Sequence, residues 1–260
     1  MVFQIPEEQQ KEFFHFFKNH NRRNILATAL VRSEAIGFVD NLEHPDIIFF
    51  SAKDRSGACF LAGNYNSPKL KEILEEISEK HFVIVPSEDW EPVLKKSWKS
   101  FRSFLLTDLS AENLSVEFVR KLIKPLPEDF HLKGMDVETA EYLLQNWPNP
   151  EKIRYYGGPD EFVSDTIAFC IKEDENVVSM AAAARSSEQL TASVEIDVQT
   201  LQEFRGRGFA TTVCAKLIEY CLELGIEPHW DASNELSLKL AQKLGYTNPK
   251  QYKAYYYKIS

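Results

Sequence analysis

Two glycines and two arginines occur within four residues, Arg205-Gly206-Arg207-Gly208, between a strand-like segment and a long helical one. Glycine lets the backbone turn tightly and approach a ligand closely. The first N–H groups of a helix lack partners inside the helix, and the helix dipole adds partial positive charge at the same place. With two guanidinium groups beside it, such a junction favours a bound phosphate or pyrophosphate.

The junction does not match the common phosphate-binding loops. It differs from G-x-x-x-x-G-K-[ST], and it lacks the third glycine of a dinucleotide fingerprint. The four residues alone leave two interpretations open, a phosphate cradle or a tight turn with solvated arginines. Local charge favours the cradle, because residues 201–260 hold eight basic and six acidic side chains, a net of +2, in a chain whose total is −9.

The segments around the junction predict how it is positioned. Residues Ser193–Gln199 alternate between apolar and polar side chains, which is typical of a strand with one buried face. A helix is predicted from about Gly208 to Leu224. Further segments predict a hairpin at Thr166–Ile171 and Asn176–Ala182, strands at Ile226–Trp230 and Tyr252–Lys258, and a helix at Glu235–Leu244. This order implies a mixed sheet with helices packed on it.

The first half of the chain is predicted to be a smaller mixed α/β unit without a catalytic constellation. Helical and strand-like segments follow one another there, and the two prolines of Lys124-Pro125-Leu126-Pro127 stop any helix. We therefore predict two domains, residues 1–126 and residues 127–260. No internal repeat is visible in the sequence.

Composition excludes several classes of protein. The 260 residues carry a net charge of −9, which argues against a protein that coats nucleic acid or an anionic membrane. No apolar stretch approaches the roughly 20 residues of a membrane-spanning helix. The N-terminus also lacks the pattern of a signal peptide. We expect a cytoplasmic protein with neither a nucleic-acid nor a membrane partner.

The spacing of cysteine and histidine argues against a metal site. The four cysteines form no C-x-x-C pair, and the six histidines do not fall at metal-ligand spacing. We expect no metal and four free, mostly buried thiols. Cys214 and Cys221 lie seven residues apart in the predicted helix, which assigns both to its packing face.

The order of strand, junction, helix, strand, asparagine, helix, Gly-aromatic pair and strand resembles the GNAT superfamily of acyl-CoA-dependent N-acyltransferases. The first motif is Arg205–Ala210, and the second runs from Asn234 through Ser237 to Gly245-Tyr246. Together the motifs cover about residues 129–260. The resemblance implies an α/β (α+β) fold of GNAT type, with a mixed, mainly antiparallel sheet flanked by helices.

Two further segments resemble one bacterial branch of this superfamily. These are Pro228–Asn234 and, near the N-terminus, Gly37–Pro45. The branch has an additional N-terminal domain and includes acetyltransferases that confer resistance to the antibiotic zwittermicin A. The resemblance then extends over most of the chain, and the N-terminal α/β domain is predicted to form one wall of a substrate cleft.

The resemblance implies a binding site for acetyl-CoA. Backbone N–H groups of Arg207–Ala210 would hold the pyrophosphate, and the main chain of Val198 and Thr200 would run alongside the pantetheine arm. Asn234 would bond the pantetheine or the acetyl carbonyl region, with Ser237 one turn further along. The full set of cofactor-binding candidates is Val198, Thr200, Arg205, Gly206, Arg207, Gly208, Phe209, Ala210, Asn234 and Ser237.

The implied chemistry is attack of a neutral amine on a thioester, which needs a base for the amine proton. Glu195 and Asp197 share one face of the predicted strand just before the junction, and either carboxylate would act as the base or attract a cationic amine. Glu195 is favoured, because its position relative to the arginine motif matches the base of the family. Two solvent-facing strand acids are the alternative interpretation.

The proton donor for the leaving thiolate is left open. The tyrosine that many GNAT enzymes use as general acid is replaced here by Ala241. Tyr246 is assigned mainly to the core, and Asp231 mainly to a capping or turn position at the exit of a strand. The remaining donors near the end of the chain are His229, Tyr252, Tyr255 and Tyr256, with solvent as an equal alternative.

The sequence thus predicts an acetyl-CoA-dependent N-acetyltransferase that transfers the acetyl group directly to the amine of a small molecule. The acidic balance of the first 200 residues favours a cationic acceptor. A non-catalytic acyl-CoA-binding module and a protein N-acetyltransferase are the alternatives. The oligomeric state is not predicted.

Overall fold

The computed structural model describes residues 1–52, 57–77, 81–98, 100–150, 153–154, 156–185 and 190–258, with the backbone alone at 257 and 258. The chain forms two compact units. The first consists of the described residues of 1–106, 187–191 and 251–260, and the second of those of 107–186 and 192–250. The boundary expected between residues 126 and 127 lies inside the second unit, and the assignment of two functional domains stays a prediction.

The first unit is a mixed sheet with helices packed on both faces. Strands β1 to β4 pair antiparallel in succession, β4 and β5 pair in parallel, and β12 joins β5 antiparallel. Its elements are β1 (Phe3–Gln4), a 3-10 helix (Glu7–Phe17), α1 (Arg23–Val31), β2 (Ala35–Val39), β3 (Ile47–Ala52), β4 (Ala58–Gly63), α2 (Leu70–Glu75), β5 (Phe82–Ile84), α3 (Trp90–Ser97), the first part of β6 (Ser100–Ser110) and the last part of β12 (Thr247–Lys258). The turn-rich composition of Lys53–Gly57 predicts a turn in this segment, and its first four residues lie outside the described part of the chain.

The second unit has the strand order β6-β11-β10-β9-β8-β7. All neighbours pair antiparallel except β10 and β11, which are parallel. Its elements after the end of β6 are α4 (Val116–Leu122), β7 (Phe130–Gly134), α5 (Val137–Asn146), α6 (Pro159–Asp165), β8 (Thr166–Glu173), β9 (Asn176–Ala184), β10 (Ser193–Thr200), a 3-10 turn (Gln202–Phe204), α7 (Phe209–Glu223), β11 (Glu227–Ala232) and α8 (Glu235–Leu244). The predicted mixed, mainly antiparallel sheet flanked by helices is confirmed.

Both units repeat one order of elements. The order starts at β1 in the first unit and, after α4, at β7 in the second. It consists of a strand, two helical segments, three antiparallel strands, a helix, a strand parallel to the last of the three, and another helix. The final strand of each sheet comes from a remote part of the sequence, β12 in the first unit and β6 in the second. The fold therefore contains a repeat although none is visible in the sequence, because different sets of side chains can form the same topology.

The core of the second unit forms where α7 covers the sheet. Val194 and Ile196 of β10 are buried in the same cluster as Val213 and Leu217 of α7, as the alternating and helical patterns predict. All four cysteines are free and buried, which confirms the expectation for them. Burial raises the pKa of the Cys221 thiol to about 12, so this sulfur stays a protonated, unreactive packing group at neutral pH.

The pairing of β2 with β3 in the first unit requires a residue without a side chain at Gly37. Gly37 lies directly opposite Phe50, and a Cβ built on it would be 2.4 Å from the Phe50 ring and 2.9 Å from Ile5. Its backbone is not in the left-handed region. The constraint at this position is therefore contact distance and not backbone conformation.

We predict that Gly37→Ala lowers the free energy of unfolding by about 1–3 kcal/mol, the usual cost of overpacking a core. Gly134→Ala is the matched control, since Gly134 is also a strand residue and its added Cβ would meet, among the described residues, only the Phe169 ring at 3.9 Å. Urea denaturation of the two variants and the wild type measures the difference. Equal stability of the two variants would contradict the packing of β2 on β3 described above.

Candidate active site

Strand pairing brings a set of polar residues to one face of the second unit's sheet. Glu195 on β10 lies directly opposite His229 on β11, and Asp231, two residues further along β11, lies opposite Asp108 on β6. Residues two apart on a strand share a face, and directly paired residues do as well. The four side chains therefore lie on one face, opposite to the face that α7 covers.

His229 is hydrogen-bonded to two carboxylates. Its Nδ1 is 2.6 Å from Oε2 of Glu195, and its Nε2 is 2.7 Å from Oδ1 of Asp108. The side chains of Glu195, His229 and Asp108 are 22%, 16% and 31% exposed. The three groups therefore form a half-buried chain that solvent or a small ligand can reach.

The two carboxylates determine the charge of His229. Burial acts to lower the pKa of the imidazole, but the charge of Glu195 and the hydrogen bonds with Asp108 and Glu195 outweigh it and raise the pKa well above its usual range. The imidazole is therefore protonated at neutral pH, with an N–H directed at each carboxylate.

Beyond this cluster, β10 and β11 no longer pair. Their register covers Ser193–Glu195 on β10, whereas the register of β10 with β9 continues over Ile196–Thr200. The N–H of Leu201 donates to the carbonyl oxygen of Val178 on the β9 side. Because backbone groups alternate between the two sides of a strand, those of Val198 and Thr200 face the side from which β11 has separated.

The junction between β10 and α7 is open at its two glycines. Gly206 and Gly208 have φ values of +79° and +87°, and a Cβ added at either would meet no atom within 4 Å among the described residues. Nε of Arg205 donates to the Thr200 carbonyl oxygen at 3.2 Å, and the guanidinium of Arg207 lies 5.1 Å from the centre of the Phe204 ring. These contacts orient both arginines at the entrance of the helix.

Helix α7 begins at Phe209, one residue after the predicted start, with Gly208 as its N-cap. The Phe209 side chain is buried in the core, where its ring lies 4.8 Å from that of Phe130, and Ala210 is half-buried. These two residues therefore present their backbone and not their side chains to the junction. Residues Arg205–Gly208 are exposed.

Asn234 and Ser237 are tied to each other at the start of α8. The Asn234 side-chain oxygen accepts a hydrogen bond from the Ser237 N–H at 2.9 Å, which caps the helix. Oγ of Ser237 accepts one from Nε1 of Trp230 at 3.0 Å. Both side chains thus support the end of β11, and the amide nitrogen of Asn234 donates to Ser233 at 3.4 Å.

The structure corrects the interpretation of Asp231 and adds a residue to the site. Asp231 lies inside β11 and is buried, so it does not cap a helix or form a turn; Asn234 is the cap. Asp108 was not foreseen, because the first half of the chain was expected to hold no catalytic constellation. Its one local signal is a carboxylate between Leu106 and Leu109 in a strand-forming segment.

The other candidate residues lie as follows. Asp197 is half-buried on the same side of β10 as Glu195. Tyr246 is buried and its hydroxyl donates to the Pro228 carbonyl oxygen at 2.6 Å, which confirms its assignment to the core. Ala241 is completely buried. Tyr252, Tyr255 and Tyr256 belong to the first unit.

No group of three metal-ligating side chains with suitable geometry occurs in the described parts of the chain. Glu195 and Asp108 approach different nitrogens of the same imidazole, so the three groups do not converge on one point. Of the helices that the structure describes, none has the length and apolar character to cross a bilayer.

A family model described as GNAT acetyltransferase matches residues 15–255. The chain belongs to the GNAT acetyltransferase family. The match includes the cradle-like junction, the Glu195 strand and most of the first unit. It therefore identifies an acetyltransferase of a family that uses acetyl-CoA.

Relatives of this GNAT chain agree with the assignment. The uncharacterized N-acetyltransferase YdfB of Bacillus subtilis is 27% identical over 228 residues, which are 84% of each protein. A GCN5-related N-acetyltransferase-like protein of Streptococcus suis is also 27% identical, with a TM-score of 0.77 over 96% of this chain and 99% of the other. A tandem GNAT protein from the clavulanic acid biosynthesis pathway shares the fold, with a TM-score of 0.62, 9% identity and 98% of each chain covered.

The cap at α8 generates a stability prediction. We expect Asn234→Ala to lower the free energy of unfolding by about 1 kcal/mol, because the Ser237 N–H loses its acceptor. Asn234→Asp is the matched control, since its carboxylate keeps the acceptor and adds a favourable charge at the helix N-terminus. Thermal unfolding of the three proteins measures the effect. An Asp variant as unstable as the Ala variant would contradict the capping role.

Proposed function

We propose that this GNAT protein transfers the acetyl group of acetyl-CoA to the amine of a small, cationic molecule. The observation that carries the proposal is the arrangement along β10 in the second unit. The strand bears Glu195 first, then the backbone segment facing away from β9, and then the open glycine junction that leads into α7. A base, a binding edge and a phosphate cradle thus follow one another along one continuous segment, from β10 to the start of α7.

The glycine junction fits the pyrophosphate of CoA. A Cβ added at Gly206 or Gly208 would meet no described atom within 4 Å, which leaves room for a ligand at the junction, and both backbones need the left-handed region that glycine tolerates. The N–H groups of Arg207–Ala210 would bind the pyrophosphate oxygens, as helix N-termini commonly do. Arg205 and Arg207 would add charge-assisted contacts from their exposed positions.

The backbone edge of β10 fits the pantetheine arm. The amide and carbonyl groups of Val198 and Thr200 face the side that β11 has left, so an extended ligand can bond to them as an added strand would. Asn234 and Ser237, at the far end of β11, would contact the same arm. Because the side-chain oxygen of Asn234 caps α8, its side-chain amide nitrogen would make the predicted contact with the pantetheine arm.

Glu195 is proposed as the base. When bound, acetyl-CoA supplies an acetyl group activated as a thioester, and the acceptor amine must be neutral to react with it. Glu195 is half-buried, lies on the strand that leads to the cradle, and has its carboxylate hydrogen-bonded to His229. It would take the proton from the ammonium of the acceptor, directly or through one water.

Asp197 has a second, electrostatic role in the proposal. Four carboxylates, Glu195, Asp197, Asp231 and Asp108, lie on the same strand face as the imidazole of His229 among the described residues of β6, β10 and β11. Such a face attracts a cationic amine and disfavours an anionic acceptor. This local excess of carboxylates is better support for a cationic acceptor than the charge of the whole chain.

A non-catalytic acyl-CoA-binding protein is the second candidate function. The fully buried Ala241 supports it, because this position holds no proton donor for a leaving thiolate. We assign that proton to solvent. The two candidates differ in whether acetyl-CoA is consumed, and they share the cradle.

The cradle is tested by removing its two glycines one at a time. We predict that Gly206→Ala and Gly208→Ala abolish most of the stabilisation that acetyl-CoA gives, about 2.7 kcal/mol at a hundredfold excess over its dissociation constant. The measurement is thermal unfolding with and without acetyl-CoA.

Gly225→Ala is the matched control for this series. Gly225 follows the other end of α7, has a φ of +70°, and its added Cβ would also meet nothing within 4 Å among the described residues. All three variants therefore carry similar backbone strain, but Gly225→Ala should keep the full response to acetyl-CoA. Loss of the response in all three, or in none, would contradict the assignment of the cradle.

The base is tested by Glu195→Gln. We predict that kcat falls by about 10²–10⁴-fold, the usual contribution of general base catalysis, while the dissociation constant of acetyl-CoA is retained. Thiol release from acetyl-CoA, followed against a panel of mono- and polyamines and neutral analogues, measures turnover, and cationic amines should drive it best. Asp197→Asn is the companion variant and should mainly raise KM for the amine. Unchanged kcat in Glu195→Gln would contradict the base assignment, and no thiol release with any amine would favour the binding protein.

A further inference from the structure

Each ring nitrogen of His229 faces a different carboxylate at hydrogen-bond distance, 2.6 Å to Glu195 and 2.7 Å to Asp108. Ionised carboxylates only accept hydrogen bonds, and both ring nitrogens donate only when the imidazole is protonated. We propose that Asp108 and His229 are positioning residues, which hold Glu195 through the imidazolium as an ionised carboxylate of fixed orientation. The proposal rests on the proposed role of Glu195 as the base.

Positioning matters for a glutamate because its side chain has several rotatable bonds. A hydrogen bond from an imidazolium to Oε2 restrains these torsions and is stronger than one between neutral groups. Asp108 acts on the other side of the ring: its bond with Nε2 fixes the ring plane, and its charge keeps the ring protonated. Asp108 therefore acts on Glu195 through His229 and does not itself need to contact the substrate.

The first unit shows that the fold does not require this cluster. There, β4 and β5 pair in parallel over three residues, as β10 and β11 do, and the third pair is Phe60 with Ile84 instead of Glu195 with His229. Phe60 and Ile84 are both completely buried. Because the same topology accepts an apolar pair, the desolvation cost of the charged cluster calls for a functional explanation.

Strand β6 is the element that makes the cluster possible. It pairs antiparallel with β11, with Asp108 opposite Asp231 and Leu109 opposite Trp230. This register places Asp108 on the polar face and Leu109 in the core. The predicted catalytic half of the chain, residues 127–260, thus depends on a carboxylate that precedes it in the sequence.

Several other ionisable groups lie near His229 and contribute to the electrostatic environment in which it titrates. Asp231 and Glu227 are on the same strand, Asp197 is two residues beyond Glu195, and the buried Tyr246 hydroxyl donates to the carbonyl next to His229. Burial raises the pKa of Tyr246 well above its usual range, so it stays neutral. The described bonds join His229 to Glu195 and Asp108.

The link is tested first by kinetics on the full chain. We expect Asp108→Asn to lower kcat by about 10–100-fold, since small misplacement of a reacting group has effects of this size, with the dissociation constant of acetyl-CoA unchanged. In a Glu195→Gln background the same substitution should change kcat by less than about twofold, because residues that act as one unit are not additive. Glu117→Gln, an exposed carboxylate on α4, is the control for loss of one charge.

The second readout is the titration of His229, which does not depend on turnover. Two-dimensional ¹H–¹⁵N NMR of the imidazole follows the protonation of both ring nitrogens against pH. In Asp108→Asn the ring should lose its proton at least about one pH unit lower than in the wild type, because one of two neighbouring anions is gone. Since the proposed site needs the imidazolium, the pH at which kcat falls on the alkaline side should move down by the same amount.

The outcomes separate this proposal from the proposed function. Full turnover in Glu195→Gln would contradict the base itself. Two results would overturn the positioning role alone, provided that Glu195→Gln is slow. One is a kcat of Asp108→Asn equal to that of the wild type, and the other is an unshifted His229 titration in Asp108→Asn. An additive effect in the double variant would also overturn it, because Asp108 would then act independently of Glu195. If Asp108→Asn does not fold, a double-mutant cycle of kcat that combines His229→Gln with Glu195→Gln decides between these results.

Discussion

The parallel pairing of β10 with β11 over only three residues is the constraint on which the rest of the site depends. Its last pair sets Glu195 against His229. Beyond that pair β10 remains bonded to β9 alone, so its backbone presents an edge at Val198 and Thr200 just before the chain turns into α7. A longer pairing would close this edge, and a shorter one would separate the proposed base, Glu195, from the imidazole. The contact between Glu195 and His229 and the open backbone edge are thus two consequences of one register.

The sequence predicted well what short-range periodicity determines. Helix α8 has the expected bounds Glu235–Leu244, α7 differs by one residue at each end, and the alternation in β10 correctly assigned Val194 and Ile196 to the core. What it could not predict depends on pairing between distant segments. Asp108 meets His229 across 121 residues, and nothing in the local pattern around Thr107 indicates which strand β6 will join. Asp231 was misinterpreted for the same reason, because its strand continues two residues past the expected end.

The repeated topology accommodates different side chains at equivalent positions of the two units. In the first unit, the helical segments before β2 cover the sheet face that bears Phe60 and Ile84, and Phe17 packs against Phe60 with ring centres 6.4 Å apart. In the second unit the equivalent positions hold Glu195 and His229, which remain half-buried. The segment after β4 also differs. Helix α2 has six residues, and a Cβ added at Gly63 would collide with the Asp46 carbonyl oxygen, whereas one added at Gly206 or Gly208 would meet no described atom within 4 Å. The first unit fills with apolar side chains the positions that the second keeps polar.

The placement of Asp108 on β6 limits how the chain can be divided. A half-buried imidazolium with one carboxylate partner would be a neutral pair, whereas two partners give the three groups Glu195, His229 and Asp108 one net negative charge, which suits the cationic acceptor that we propose. The interaction of Asp108 with His229 offsets the desolvation cost of the carboxylate only if β6 is held in register with β11. Leu109 holds this register, because it packs in the core opposite Trp230. The residues that precede the GNAT motifs therefore contribute to the electrostatics of the site as well as to the sheet, and a fragment that begins after Leu126 would lack both.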